Sequence, residues 1–338
     1  MFNKPLLPCL LAMLCSLSST VAADTLDSVQ QRGHLKCGVT TGVPGFSMPN
    51  TRGEWNGLDV DLCRAIAAAT LGDASKTKFV PLTTKERFTA LQSGEVDVLT
   101  RNTTWNQTRD SQLGLNFAGI NFYDGQGFMV MKDLGVTRLD QMDGATICIQ
   151  SATTSEQNLA DYFRFKEMSY KTVVFETNAQ ALQGFEARRC DLFTTDTSQL
   201  YGHRLTMQAP AEAMILPEII SKEPLGPVVR QGDDRWFRVV KWTHNAMINA
   251  EELGVTAANA ETMKQSQNPD IRRLLGVEGP RGKGLDLPRD WVYQVITQVG
   301  NYGESFERNL GQRSPLKIAR GLNALWVDGG LHYAPPIR

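Results

Sequence analysis

Residues 100–109 read TRNTTWNQTR and residues 194–199 read TTDTSQ. Both stretches crowd hydroxyl and amide groups around one charge suited to recognition, Arg109 in the first and Asp196 in the second. A guanidinium can grip a carboxylate through two parallel hydrogen bonds, a geometry that a lysine ammonium cannot match. A carboxylate can in turn hold an ammonium. One cationic and one anionic clamp describe the recognition of a free α-amino acid. Two further clusters are of the same kind, TTGVPGF at 40–46 and SATTSE at 151–156. Thr and Ser at such places also serve as turn and helix-capping residues. Arg109 taken alone could be a surface charge beside Asp110, and Asp196 the N-cap of TSQLYG. Arg101, nearer the preceding strand, reads as structural.

Catalytic chemistry finds little support. There is no GxSxG, HExxH or phosphate-loop motif, and His34, His203, His244 and His332 are scattered. Asp59-x-Asp61 lacks the rest of a calcium loop, and no CxxC suggests zinc. Neither a cofactor nor a metal is expected.

The elements that must position these groups follow from periodicity. Residues 34–40 read as a strand, 57–70 as a helix with Leu58, Leu62, Ala65, Ile66 and Ala69 on one stripe, 78–82 as a strand, a helix from Lys85 capped by Thr84, and 95–100 as a strand. A second β-α-β-α-β series runs through strands at 146–150, 171–176 and 190–196, with helices at 154–163 and 178–187. That order predicts an α/β fold with two doubly wound sheets. ALQSGEVDVLT (90–100) and GFEARRCDLFT (184–194) nearly superpose, Asp97 on Asp191 and Thr100 on Thr194, which fits two like lobes. The Gly-containing segment 122–130 and the Pro- and Gly-containing segment 222–229 read as two crossings between the lobes. Lobe 1 is expected over 24–124 and 227–338 and lobe 2 over 125–226. From about 233 the chain reads as a helical extension, with helices at 236–254, after Asn268-Pro269, at 288–300 and at 314–326. In open α/β sheets ligands bind beyond the carboxyl ends of the strands. All four Thr/Ser clusters fall there, two per lobe, so facing lobes would bring them to one cleft. Phe46, Trp55 and Trp105 lie near these ends as candidate walls.

Composition bounds the setting. The chain carries 35 basic and 36 acidic residues, a balance that argues against an electrostatic nucleic-acid binder. Lys4, a mostly apolar run at 6–17 and small residues up to Ala23 form a secretory signal over 1–23, with cleavage after Ala23. No later run is long and apolar enough to span a bilayer. The four cysteines beyond the signal, Cys37, Cys63, Cys148 and Cys190, are an even number in an exported chain, which favours disulfides. Their places on the predicted elements give Cys37–Cys63 and Cys148–Cys190, one bond within each lobe. A bond between lobes would resist closure.

GEWNGLDVDLCRAIAAA (53–69), ALQSGEVDVL (90–99), NTTWNQTRD (102–110), LDQMDGATICIQSATTSE (139–156) and FTTD (193–196) together resemble the periplasmic substrate-binding proteins of ABC transporters for polar amino acids, bacterial solute-binding protein family 3. The general L-amino-acid-binding branch, which also has a long helical tail, is the most similar. The resemblance implies a two-lobed type II periplasmic binding fold, a periplasmic location, an L-amino acid ligand held between the lobes, delivery to permease subunits in the inner membrane, and a monomer. It places ligand contacts on Asn102, Thr104, Arg109, Thr153 and Thr154, with the ammonium on Asp196. It transfers less cleanly to an aromatic wall at Phe46 or Trp55. The alternative is an enzyme on the same fold, similar to the periplasmic cyclohexadienyl dehydratases, which would need a general acid or base in the cleft.

Overall fold

A computed structural model describes residues 24–279 and 282–338. The expected signal segment, 1–23, lies outside the described residues. Two sheets organise the chain. In the first, Thr77–Pro81, Leu35–Val39 and Val98–Thr104 run parallel, and Glu223–Arg230 then pairs antiparallel with Val98–Thr104, Leu115–Phe117 and Phe122–Asp124. In the second, Tyr170–Phe175, Ala145–Gln150 and Leu192–Asp196 run parallel, followed by antiparallel Gln126–Met131 and Ala213–Ile215. Both sheets therefore order their strands second, first, third, and then take an antiparallel strand that the chain enters from a crossing.

The internal sequence match has a structural counterpart. Asp97 brackets Lys36, accepting its N–H at 2.7 Å and donating its own N–H to the Lys36 carbonyl at 2.9 Å. Asp191 does the same to Thr146, at 2.8 Å in both directions. In each lobe the aspartate entering the third strand fixes the start of the first.

Leu58–Leu71 forms as read: Gly57 and the left-handed Gly72 end it, and Leu62 and Ile66 are buried in the core of the first lobe. Burying a side chain of that size contributes about 1.5–3 kcal/mol. Gly57 is required by close approach, since a Cβ there would stand 2.0 Å from the Phe46 carbonyl oxygen. The Cys37–Cys63 bond ties this helix to the first strand, and Cys148–Cys190 ties the second lobe internally.

The two crossings touch. Gly125 alone separates Phe122–Asp124 from Gln126–Met131, and a Cβ on it would meet the Ser221 carbonyl oxygen at 2.8 Å. The return strand already pairs with the first sheet from Glu223, ahead of the boundary expected at 227.

The tail packs Asp234–Glu252, Pro269–Leu274, Trp291–Val299 and Tyr302–Asn309 around the first lobe. The helix expected at 314–326 is absent. That segment holds the short 3-10 turn Gly321–Asn323 and the first residue of another at Trp326–Asp328, because Lys317 and Gly321 take left-handed φ of 54° and 48°, which no α-helix admits. Its apolar residues Leu316 and Leu325 still reach the core. Among the described residues no helix is long and apolar enough to cross a membrane.

Candidate ligand-binding site

A cavity of about 240 Å³ lies between the lobes, at the carboxyl ends of the parallel strands of both sheets. Its lining includes the expected Asn102, Thr104, Arg109, Thr153, Thr154 and Asp196, and members of all four Thr/Ser clusters.

The segment expected as a loop after Leu99 is a continuation of the strand Val98–Thr104. It carries an irregularity: Asn102 takes φ 34°, and the register against Glu223–Arg230 shifts between Gly226 and Val228. Asn tolerates this region better than most residues, and bulges commonly re-aim side chains at sites. The buried Asp59 holds the kink by accepting the Asn102 N–H at 2.8 Å. Burial pushes the Asp59 carboxyl up to about 7, against its hydrogen bonds and the nearby Arg101. The Asn102 backbone N–H is thereby engaged, and the residue lines the cavity. Asn106 then caps the helix Gln107–Gln112, whose Arg109 donates to the Thr104 carbonyl at 2.9 Å and rests over the Phe88 ring at 5.5 Å. Arg101, read as structural, does bind the Leu82 carbonyl, yet it also lines the cavity.

On the second lobe, Thr153 precedes the helix Thr154–Phe165 but donates its hydroxyl to the Gln150 carbonyl, leaving the helix start without a side-chain cap. Asp196 ends its strand at the cavity. Gln199 donates to it at 2.5 Å and is itself fixed by Asn178 at 2.8 Å. Burial, and then the carboxylates of Asp124 and Glu223, push the Asp196 carboxyl well above the usual range, while Gln199 and Arg109 pull the other way.

Several contacts join the lobes around the cavity. Thr84 donates its hydroxyl to the Ser151 carbonyl at 3.0 Å rather than capping a helix; the helix starts later, at Arg87. Glu223 accepts from Thr104 at 2.6 Å and from Thr154 at 3.0 Å, with Asn158 and Ser221 on its other oxygen.

The three aromatic candidates lie elsewhere. Phe46 is buried in the first-lobe core, edge-on to Phe122 at 5.3 Å, because its loop passes beneath the start of Leu58–Leu71. Trp55 belongs to the small hairpin of Met48–Pro49 and Trp55–Asn56 and packs on Phe79, beside a separate surface concavity. Trp105 stacks on Phe117. No aromatic side chain lines the cavity among the described residues; Val43 and Ala179 are its larger apolar groups. Sequence reading missed Thr84, Arg87, Gln150, Asn178 and Gln199 as lining residues. Thr84, Gln150 and Gln199 stood within or beside the quoted strand ends, whereas Arg87 and Asn178 sit at the starts of helices that offered no such signal.

Residues 35–258 match the model of the bacterial extracellular solute-binding proteins, family 3. The chain is 56% identical over 329 residues to the general L-amino acid-binding periplasmic protein AapJ of Rhizobium johnstonii, covering 97% of this chain and 96% of that protein. It is 52% identical over 328 residues to the glutamate/glutamine/aspartate/asparagine-binding protein BztA of Rhodobacter capsulatus, covering 97% of each. An ABC transporter periplasmic binding protein from Brucella ovis, solved with glutathione bound, matches at a TM-score of 0.92 and 59% identity, covering 94% of this chain and 100% of that one.

Proposed function

Because the chain belongs to family 3 of the bacterial extracellular solute-binding proteins, we propose that it is the periplasmic substrate-binding component of an ABC importer, which captures free L-amino acids between its lobes and delivers them to the membrane permease. The observation that carries the reading is the pair of opposite charges, Arg109 from one lobe and Asp196 from the other, lining one small polar cavity.

We assign the ligand carboxylate to Arg109 and to the free N–H groups that start Thr154–Phe165. A guanidinium and a helix N-terminus both favour an anion. The ammonium goes to Asp196. The hydroxyls of Thr104 and Thr154 support it in a specific way. A hydroxyl has one proton to donate, and each of these lies within bonding distance of the acceptor-only Glu223 carboxylate. Towards the cavity they offer lone pairs, which suit an ammonium and not a carboxylate. The lining holds no aromatic platform and few apolar groups, so little in it selects one side-chain shape, and acceptance of several L-amino acids follows. Both halves of the site come from one chain, so a monomer suffices as the working unit.

The test is a thermal-shift panel of the twenty L-amino acids on the purified mature protein, with an N-acetylated and a decarboxylated analogue of the best ligand. Several amino acids should raise the melting temperature, and neither blocked analogue should. Recovery of the amino acid unchanged after long incubation separates capture from the enzymatic alternative.

A further inference from the structure

Arg87 is the least satisfied charge in the cavity. Its side chain is 3% exposed and lines the site, yet it donates no hydrogen bond to any described residue, and its Nε is wholly buried without a partner. Its planar group lies over the Phe88 ring at 4.6 Å, the same ring that carries Arg109 at 5.5 Å. The other two arginines of the lining are anchored: Arg101 on the Leu82 carbonyl with Asp59 and Glu86 near, Arg109 on the Thr104 carbonyl with Glu223 and Asp196 near. Among the described residues the charges acting most on Arg87 are one carboxylate, Asp196, against two like charges, Arg101 and Arg109.

Burial of a cation without a partner is expensive. The zwitterionic part of an amino acid brings one carboxylate and one ammonium. It satisfies Arg109 and Asp196 and brings no hydrogen-bond acceptor of its own to Arg87. A second carboxylate on the same ligand would complete the site. Both guanidinium groups lie against one phenyl ring, at 4.6 and 5.5 Å from its centre, so one ligand with two carboxylates can span them.

We propose that Arg87 is a specificity-determining residue that receives a second, side-chain carboxylate, so that the site favours L-amino acids carrying two carboxylates. This rests on the amino-acid-binding reading above and narrows it. The ligand chemistry, an α-amino acid with a second carboxylate, is met compactly by a free acidic amino acid; in a γ-glutamyl peptide the γ-carboxyl is an amide, and the second carboxylate is the more distant one at the C-terminus.

The experiment is calorimetric titration of the full mature protein, stripped of ligand, with L-glutamate, L-aspartate, L-glutamine and glutathione. It is repeated on Arg87→Met, which keeps a long side chain against Phe88, and on Arg87→Lys. The parent should bind glutamate at least about tenfold more tightly than glutamine. Arg87→Met should lose at least about thirtyfold for glutamate, the scale of truncating one side of a buried charge pair, with glutamine changed by less than about threefold, and Arg87→Lys should recover part of the loss. The tighter of glutamate and glutathione identifies the source of the ligand. Equal losses for glutamate and glutamine in a variant with unchanged melting temperature would overturn the proposal and make Arg87 a counter-charge to Asp196. A parent that binds glutamate and glutamine alike would overturn this inference alone, whereas a parent that binds no amino acid would overturn the underlying function as well.

Discussion

The hydroxyls of Thr104 and Thr154, one on a strand of the first lobe and one at a helix start of the second, lie 3.3 Å apart, and both contact Glu223. Glu223 is buried and begins the strand by which the chain returns to the first lobe. One carboxylate thus links both lobes and a crossing, at the place where hinge motion would be absorbed.

Glu223→Ala should therefore favour an open cleft. The fraction of binding-competent protein falls, and apparent affinity falls with it. We expect at least about a tenfold loss, common to all ligands, and a stability loss of about 1–3 kcal/mol from the unsatisfied hydroxyls and amide. Calorimetry with small-angle scattering checks this; unchanged compaction by ligand would count against a latch.

The charge clamp makes a separate demand. Arg109→Ala and Asp196→Ala each leave one ligand charge buried without a partner, a loss of about 2–5 kcal/mol, or at least about thirtyfold in affinity. Unlike Arg87→Met, both should weaken acidic and neutral ligands alike. Parent-like binding by the Asp196 variant would move the ammonium site elsewhere.

Ligand capture should release protons. Burial and the neighbouring Asp124 and Glu223 carboxylates raise the Asp196 carboxyl well above its ordinary value, so it holds a proton in the ligand-free protein where a normal aspartate would not. An incoming ammonium favours the charged form. Binding then expels that proton, and affinity rises with pH until the raised value is passed. Titration in buffers of different ionisation enthalpy should show net release. Glu223→Ala, by removing one of the carboxylates that hold Asp196 up, should reduce it.

The repeated β-α-β-α-β programme was legible because burial imposes its own periodicity: Leu58–Leu71 shows its stripe, and Asp97 and Asp191 sit at matching places for matching reasons. Arg109 and Asp196 were legible because a charge among hydroxyls at a strand end is unusual. Arg87 was not. In the sequence it lies in the first turn of an ordinary helix, and its place in the lining of a cavity shared with the second lobe is a long-range feature that local pattern does not carry. The strand through Asn102 was hidden for a related reason, since the Asp59 contact that sustains its kink comes from 43 residues away in the chain. Phe46 and Trp55 were near the site in sequence only.

The disulfides should act on stability and not on binding. They close loops of 26 and 42 residues within single lobes, so each is expected to contribute about 3–4 kcal/mol. Replacing Cys148 and Cys190 by Ala should lower the denaturation midpoint and leave ligand affinity within about threefold. A large affinity loss in a folded variant would tie that bond to the cleft.

Asp59 predicts a pH effect of opposite sign to an ordinary aspartate. Its carboxyl is raised from 3.8 to about 7 by burial, so between those values the folded state holds a proton that the unfolded chain has released. Stability then falls as pH rises through that window, by up to about 4 kcal/mol at about 1.4 kcal/mol per unit. His203 and His244, lowered to about 4 by burial, work the other way: their protonation favours the unfolded chain as pH falls from 6.5 to about 4. The net profile of the parent can therefore look flat, and the informative measurement is a difference. Denaturant unfolding of parent and Asp59→Asn at intervals from pH 4 to pH 7.5 should show the variant gaining on the parent as pH rises, because its amide cannot ionise. Parallel profiles would mean that Asp59 stays charged in the fold, held there by Asn102, Asn121 and Arg101.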